Sequence, residues 1–215
     1  MKYDITSNTK IVNGLELFQI RAAGDASFVT KGELGGWIEN RDNLDQEGSA
    51  WVFRDASIYG NAKVFGNAKI SGSAQVYGNA QISGHARVYD RTHVYGSARV
   101  MEHAWIAGYS RVYGNALVLG DALVSGDSLV SGNALVTKDA RLSGRSCIMW
   151  FTGINEHFGT LTATISRSGV LVTDNGFSGP IEEFEASVKE RHGDSDIAQE
   201  YMLLLTFIRK RFCYT

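Results

Sequence analysis

An aliphatic residue recurs at every sixth position of this chain, from Val52 through Ile58, Val64, Ile70 and Val76 onward to Leu142 and Ile148, without a slip. Two residues before each stands a small residue, mostly alanine (Ala50, Ala56, Ala62, Ala68, Ala74), with Thr92, Ser110, Ser128 and Ser146 as the exceptions. Gly-Asn pairs fall between the units, as in the stretch YGNAKVFGNAKISGSAQVYGNAQI over 59–82. Six is not a helical period, and β-branched residues between Gly-Asn turns predict very short strands with bends between them. A strand this short cannot bury its apolar face alone. Winding the chain so that each strand pairs with its successor one coil later buries a continuous aliphatic column, which is a parallel β-helix. The 24 glycines supply the turns.

The pattern resembles the hexapeptide-repeat, left-handed β-helix family, in which three hexads form one triangular coil of eighteen residues. The resemblance covers 49–150 and implies the left-handed winding, which the period alone does not. The expected fold is therefore mainly β: a small N-terminal β-rich cap over 1–48, the left-handed parallel β-helix over 49–150, and a C-terminal α+β module over 151–215. In the first segment the alternating run Leu15–Arg21 reads as a strand, and Trp37 is the expected plug of the open coil end, which must be covered. In the last, GTLTATISRSGVLVTDNG reads as a hairpin turning at Arg167-Ser168-Gly169. A helix from Ile181 to about His192 and a second one capped by Ser195 or Asp194 complete a ββαα tail. The stretches GGWIE and NLDQEGSAWV are similar to the start of hexapeptide-repeat proteins of bacterial and phage genomes, whose transferase labels rest on fold. FSGPIEEF and VKERHGD are similar to tails of phage-type proteins.

At 215 residues, 44% hydrophobic and 20% charged, the composition is that of a globular chain. A net charge of -2 gives no global attraction to nucleic acid or an anionic membrane, so neither is expected as a partner. Cys147 and Cys213 make no disulfide framework, and MKYDITSNTK lacks the pattern of a secretory signal. A cytoplasmic location is expected.

Residues eighteen apart stack at the strand spacing of about 4.8 Å. Tyr59, Tyr77, Tyr95 and Tyr113 then form one outer column beside Ser57, Gln75, His93 and Arg111. Asn61, Asn79, Asn115 and Asn133 form a corner ladder, read as structural because Asn tolerates left-handed backbone. His85 stacks on His103, with Asp121 and Asp139 continuing the column. The coil that departs most from the repeat carries Asp90-Arg91-Thr92 and Glu102-His103-Ala104, and brings Arg87 under Trp105 and Arg91 under Tyr109, with Tyr89 alongside. Guanidinium groups suit phosphate and aromatic faces suit a base. Arg87, Tyr89, Arg91, His103, Trp105 and Tyr109, with His85 beside them, are therefore the candidate site for a small anionic or nucleotide ligand. Stacked histidines could hold a metal, but this corner accepts any polar residue and no metal is expected.

Two functions follow. The first is a non-catalytic oligomeric binding or scaffold protein without a cofactor; one form of it is phage-encoded and sequesters a nucleotide-like ligand or blocks a host protein. The second is implied by the family resemblance: a trimeric acyltransferase using acetyl-CoA or another acyl-CoA, with His85 or His103 as general base. From Val52 to Ile148 no loop interrupts the coils to enclose an acyl donor, which weakens the second. Finally, the outward position before the aliphatic residue changes from Lys63, Lys69, Gln75, Gln81, Arg87 and Arg99 to Leu117, Leu123, Leu129 and Leu135. With Leu119 and Met101 these form an apolar patch that a monomer would seldom leave in water. The C-terminal helices and neighbouring chains are both expected to cover it, with a homotrimer as the expected assembly.

Overall fold

The computed structural model describes residues 1–154 and 159–212. Three strands open the chain: β1 (Tyr3–Val12), β2 (Leu15–Ala22) and β3 (Leu34–Ile38). Sixteen two-residue strands, β4–β19, then follow at intervals of six from Trp51–Val52 to Arg141–Leu142. Away from the two ends each pairs in parallel with the strands eighteen residues before and after, as Arg87–Val88 does with Lys69–Ile70 and Trp105–Ile106. The result is a parallel β-solenoid with three faces. β5, β8, β11, β14 and β17 form the first, β4, β7, β10, β13, β16 and β19 the second, and β6, β9, β12, β15 and β18 the third. The repeated aliphatic residues and alanines meet inside, almost all of them without solvent exposure.

The corners explain the glycines. Gly60, Gly66, Gly78, Gly96 and Gly114 all have φ between +66° and +71°, a region that costs a side-chain-bearing residue. A methyl on Gly78 would also lie 3.0 Å from the backbone nitrogen of Gly96 in the next coil. This corrects the reason given to the asparagines: the left-handed residue is the glycine, and the asparagine after it bonds along the ladder. Asn61 donates to Asn79 and Asn115 to Asn133, each at 3.1 Å. Four corners dispense with glycine, and Arg54, Asp90, Glu102 and Lys138 take up φ of +54° to +63° there. Two of these have a compensating bond: the Asp90 carboxylate accepts from the Gly108 amide at 3.0 Å, and Glu102 from Gly120 at 2.8 Å.

Parallel pairing begins upstream of residue 49. Trp37–Ile38 pairs with Ser57–Ile58, and Leu44 bridges to Val64. Ile38 to Ile58 and Leu44 to Val64 are twenty residues apart, so two extra residues before Val52 hide this first coil from a strict six-residue count. β1 and β2 extend the first face as antiparallel strands beyond β3. Trp51, the first residue of its strand and in register with Lys69, points out of the second face and is covered there by the N-terminal segment. It is fully buried, edge-on to Tyr3 at 6.3 Å and 6.2 Å from Phe28. Trp37 is only half-buried and lies under the Lys10 ammonium, 4.8 Å from its ring centre. Lys69 crosses the same end, bonding the Ser49 carbonyl and standing 3.0 Å over the Phe28 ring. Burial, helped by the charge of Lys2, pushes its ammonium down to about 8.

At the other end the hexads stop at Leu142. Ile148, the last aliphatic residue of the period, begins β20 (Ile148–Ile154), which pairs antiparallel with β21 (Gly159–Ser166). β22 (Gly169–Asp174) and β23 (Phe177–Pro180) complete a four-stranded sheet, two strands more than the sequence suggested. Helices α1 (Ile181–His192) and α2 (Asp196–Phe212) pack on it, with Phe184, Val188, Tyr201, Leu205 and Ile208 buried. Ser195 is the cap of α2, its hydroxyl accepting from the Ala198 amide at 3.3 Å.

This sheet closes the solenoid. Leu135 lies on the last strand of the third face, where no coil follows to take its backbone groups. Its amide donates to the Thr162 hydroxyl and its carbonyl accepts from Thr173, both at 3.1 Å. Ala140 bridges to Ser166, and Leu171 and Ile148 join the solenoid core. It is therefore the sheet, not the helices, that docks on the final coils. Met101, Leu117, Leu119, Leu123, Leu129 and Leu135 are all half-buried.

Candidate ligand groove on the second face

On each two-residue strand the second residue points inward, so the first points out. On the second face this outward column reads Lys69, Arg87, Trp105, Leu123 and Arg141. The corner two residues earlier contributes Asn67, His85, His103, Asp121 and Asp139, also eighteen apart. The two columns run side by side and form a groove of about 590 Å³, lined by His85, Arg87, His103, Trp105, Asp121, Leu123, Asp139, Arg141 and Arg167. Arg167 comes from the turn between β21 and β22. The groove is thus built from a solenoid face and the module that closes the coil.

Inside it the Arg87 guanidinium lies 4.8 Å from the centre of the Trp105 ring. Trp105 is 40% exposed and edge-on to Tyr89 at 6.4 Å. His85 and His103 stack with centroids 5.0 Å apart and planes 7° from parallel, and Asn67 Nδ2 lies 3.3 Å from His85 Nε2. Arg141 is held by its own backbone surroundings, donating from Nη1 to the carbonyls of Asp121 at 2.7 Å and Ala140 at 3.2 Å. Arg87 and Arg167 have no ion-pair partner among the described residues. Two free guanidinium groups and an exposed indole can hold a planar anion. Asp121 and Asp139 mark the opposite wall, where they favour amine or hydroxyl groups of a ligand.

The structure divides the residues singled out from the sequence. His85, Arg87, His103 and Trp105 share the groove. Arg91 and Tyr109 stack as expected, 5.8 Å apart, but they line a separate hollow of about 350 Å³ with Gly72, Ser73, Asp90 and Gly108. Tyr89 faces a third hollow, with Phe53 and Arg54. The division follows from the corner at Asp90, which turns the chain away from the second face. Arg141 and Arg167 were not anticipated as site residues, and Leu123 was expected in the apolar docking patch and not in a ligand groove. Leu123 and Arg141 were within reach of the eighteen-residue spacing, since both continue the Arg87–Trp105 column. Arg167 carries no such signal, because only tertiary docking brings its turn to the groove.

No group of three or more His, Cys, Asp or Glu side chains suited to a metal ion occurs among the described residues. No helix of the described residues is long and apolar enough to cross a membrane. A family model described as the YdcK beta solenoid repeat matches residues 80–96 and 110–128. The coil is similar to the YdcK solenoid. The two matched stretches flank 97–109, which contains His103, Trp105 and Tyr109. No curated protein matches the chain.

Proposed function

We propose that this chain is a non-catalytic, oligomeric β-solenoid binding protein whose second-face groove takes a small aromatic anion of the nucleotide type. The observation that carries the reading is the Arg87–Trp105 pair, an exposed indole with a guanidinium at its face, in a groove that Arg167 closes from another element. An aromatic base would lie against the indole edge and the two arginines would take its phosphates. Left-handed winding, implied by the hexapeptide resemblance, fits three flat faces of this kind. Sequestration of such a ligand, as by a phage protein in its host's cytoplasm, needs only tight binding and no chemistry.

One observation favours the second reading, an acyl-CoA-dependent transferase: the stacked His85 and His103 line the same groove. Among the described residues the side-chain hydrogen-bond partner of this pair of rings is Asn67, an amide, whereas a general base is ordinarily oriented by a carboxylate or carbonyl. The test is native mass spectrometry of the purified full chain, followed by calorimetric titration with ADP and with acetyl-CoA. Binding of ADP at one site per chain, weakened at least about tenfold by Trp105→Ala, supports the binding reading. Release of free coenzyme A in the presence of amine acceptors, abolished by His103→Ala, would replace it with the transferase.

A further inference from the structure

The solenoid and its caps bury their large apolar side chains with few exceptions, and two of those exceptions lie one turn apart on α2. Leu203 is 73% exposed and Phe207 52% exposed. Both lie outside the buried stripe of Ala198, Tyr201, Leu205 and Ile208. Phe151 of β20 stands edge-on to Phe207 at 6.2 Å and widens the apolar surface. Beside Leu203 lies a hollow of about 460 Å³ between the end of α1 and the start of α2, bordered by Lys189, Gly193, Ala198, Met202 and Thr206.

We propose that this outer stripe of α2 pairs two copies of the chain, helix against helix and antiparallel, about a two-fold axis. The charge along the helix selects a second copy as the occupant. The helix start exposes Asp194, Asp196 and Glu200, and its end exposes Lys210 and Arg211. Neither Glu200 nor Lys210 has an ion-pair partner among the described residues. With the axis at the level of Leu205, Leu203 faces Phe207 of the second copy and Glu200 faces Lys210 of the second copy. Every contact is made twice, as an isologous interface requires. Phe207 of each copy then enters the hollow beside Leu203 of the other, an aromatic anchor in a pocket ringed by opposite charges. A parallel pairing would set like charges together, and an anionic lipid surface would be repelled by the acidic helix start.

The test is sedimentation of the full chain at tens of micromolar, with four variants checked for an unchanged melting temperature. The native chain sediments as a dimer. Glu200→Lys and Lys210→Glu each weaken the dimer about tenfold, because each places like charges in contact twice. The two changes combined restore it to within about threefold. Phe207→Glu gives a folded monomer. A monomeric native chain, a trimer indifferent to Phe207→Glu, or a double variant no tighter than the singles would overturn the proposal.

Discussion

Two outer columns of the same solenoid use the same stacking geometry for different ends. On the first face Tyr59, Tyr77, Tyr95 and Tyr113 repeat one side chain four times. Their rings lie 4.9 to 5.0 Å apart with planes 1° to 3° from parallel. The ladder is tied in at the top, where Tyr59 is buried, accepts from Asn13 and donates to Gln75, each at 2.9 Å. On the second face Arg87, Trp105, Leu123 and Arg141 change character at every coil, and the column opens into a groove. A column that repeats one residue satisfies itself. One that alternates charge, ring and aliphatic chain leaves each group with unused capacity, and there a ligand can be held.

Several substitutions would break this contrast, and the largest effect concerns what the two faces share. Val94 lies under the tyrosine ladder and Val88 under the groove, both fully buried. Val94→Asp and Val88→Asp should each abolish soluble folding, since an unpaired buried charge costs about 3–5 kcal/mol. Soluble, cooperatively melting protein from either variant would show that the inward assignment of that strand is wrong.

The next effect separates the faces. Tyr95→Ala removes two ring stacks and a half-buried side chain, and should destabilise the chain by about 2–3 kcal/mol in urea unfolding without touching ligand affinity. Trp105→Ala should do the reverse, costing under about 1 kcal/mol of stability while removing ADP binding. Equal stability losses from the two variants would erase the distinction between ladder and site.

Within the groove, Arg167→Ala should weaken ADP binding by about tenfold or more with an unchanged melting temperature, because its side chain is exposed at a turn tip. Arg91→Ala should leave binding unchanged, since Arg91 lines another hollow. Calorimetry of both variants checks the division of the residues between the faces.

The smallest effect is a pH response of the first face. Burial, with Arg111 nearby, lowers the pKa of His93, so the folded chain resists protonating it. Stability from this residue is present above its unfolded value of about 6.5 and is lost as pH falls toward the folded value. Burial raises the pKa of Tyr59, Tyr77 and Tyr95. Their contribution is full below about pH 10 and is lost as pH rises through the folded values. Melting temperatures measured across both windows should fall at each end, with the acid decline reduced in His93→Gln.

The solenoid was legible because one physical constraint, a two-residue strand that must find a partner one coil away, writes itself into every hexad. The same arithmetic stacked the tyrosines, the histidines and the Arg87–Trp105 pair correctly. It failed where the period is broken. Ile38 and Leu44 belong to the first coil but lie twenty residues from their partners, so a strict six-residue count does not show that Trp37 is an outward residue of that coil and not the plug of its end. Ile148 keeps the period but has left the coil for an antiparallel strand. The site was half legible: eighteen-residue spacing reaches every groove residue drawn from the solenoid, yet it cannot say that the Asp90 corner diverts Arg91 and Tyr109. Nor can it bring Arg167 alongside, since that proximity exists only once the C-terminal sheet has docked through Thr162 and Thr173.

Amide hydrogen exchange of the full chain, with and without saturating ADP, compares the two faces in one measurement. The expected result is added protection over 85–88, 103–106 and 139–141 and at the Arg167 turn, with none along the tyrosine ladder. Protection centred on Tyr77, Tyr95 and Tyr113, or no protection anywhere at saturating ADP, would contradict the assignment of the groove as the binding site.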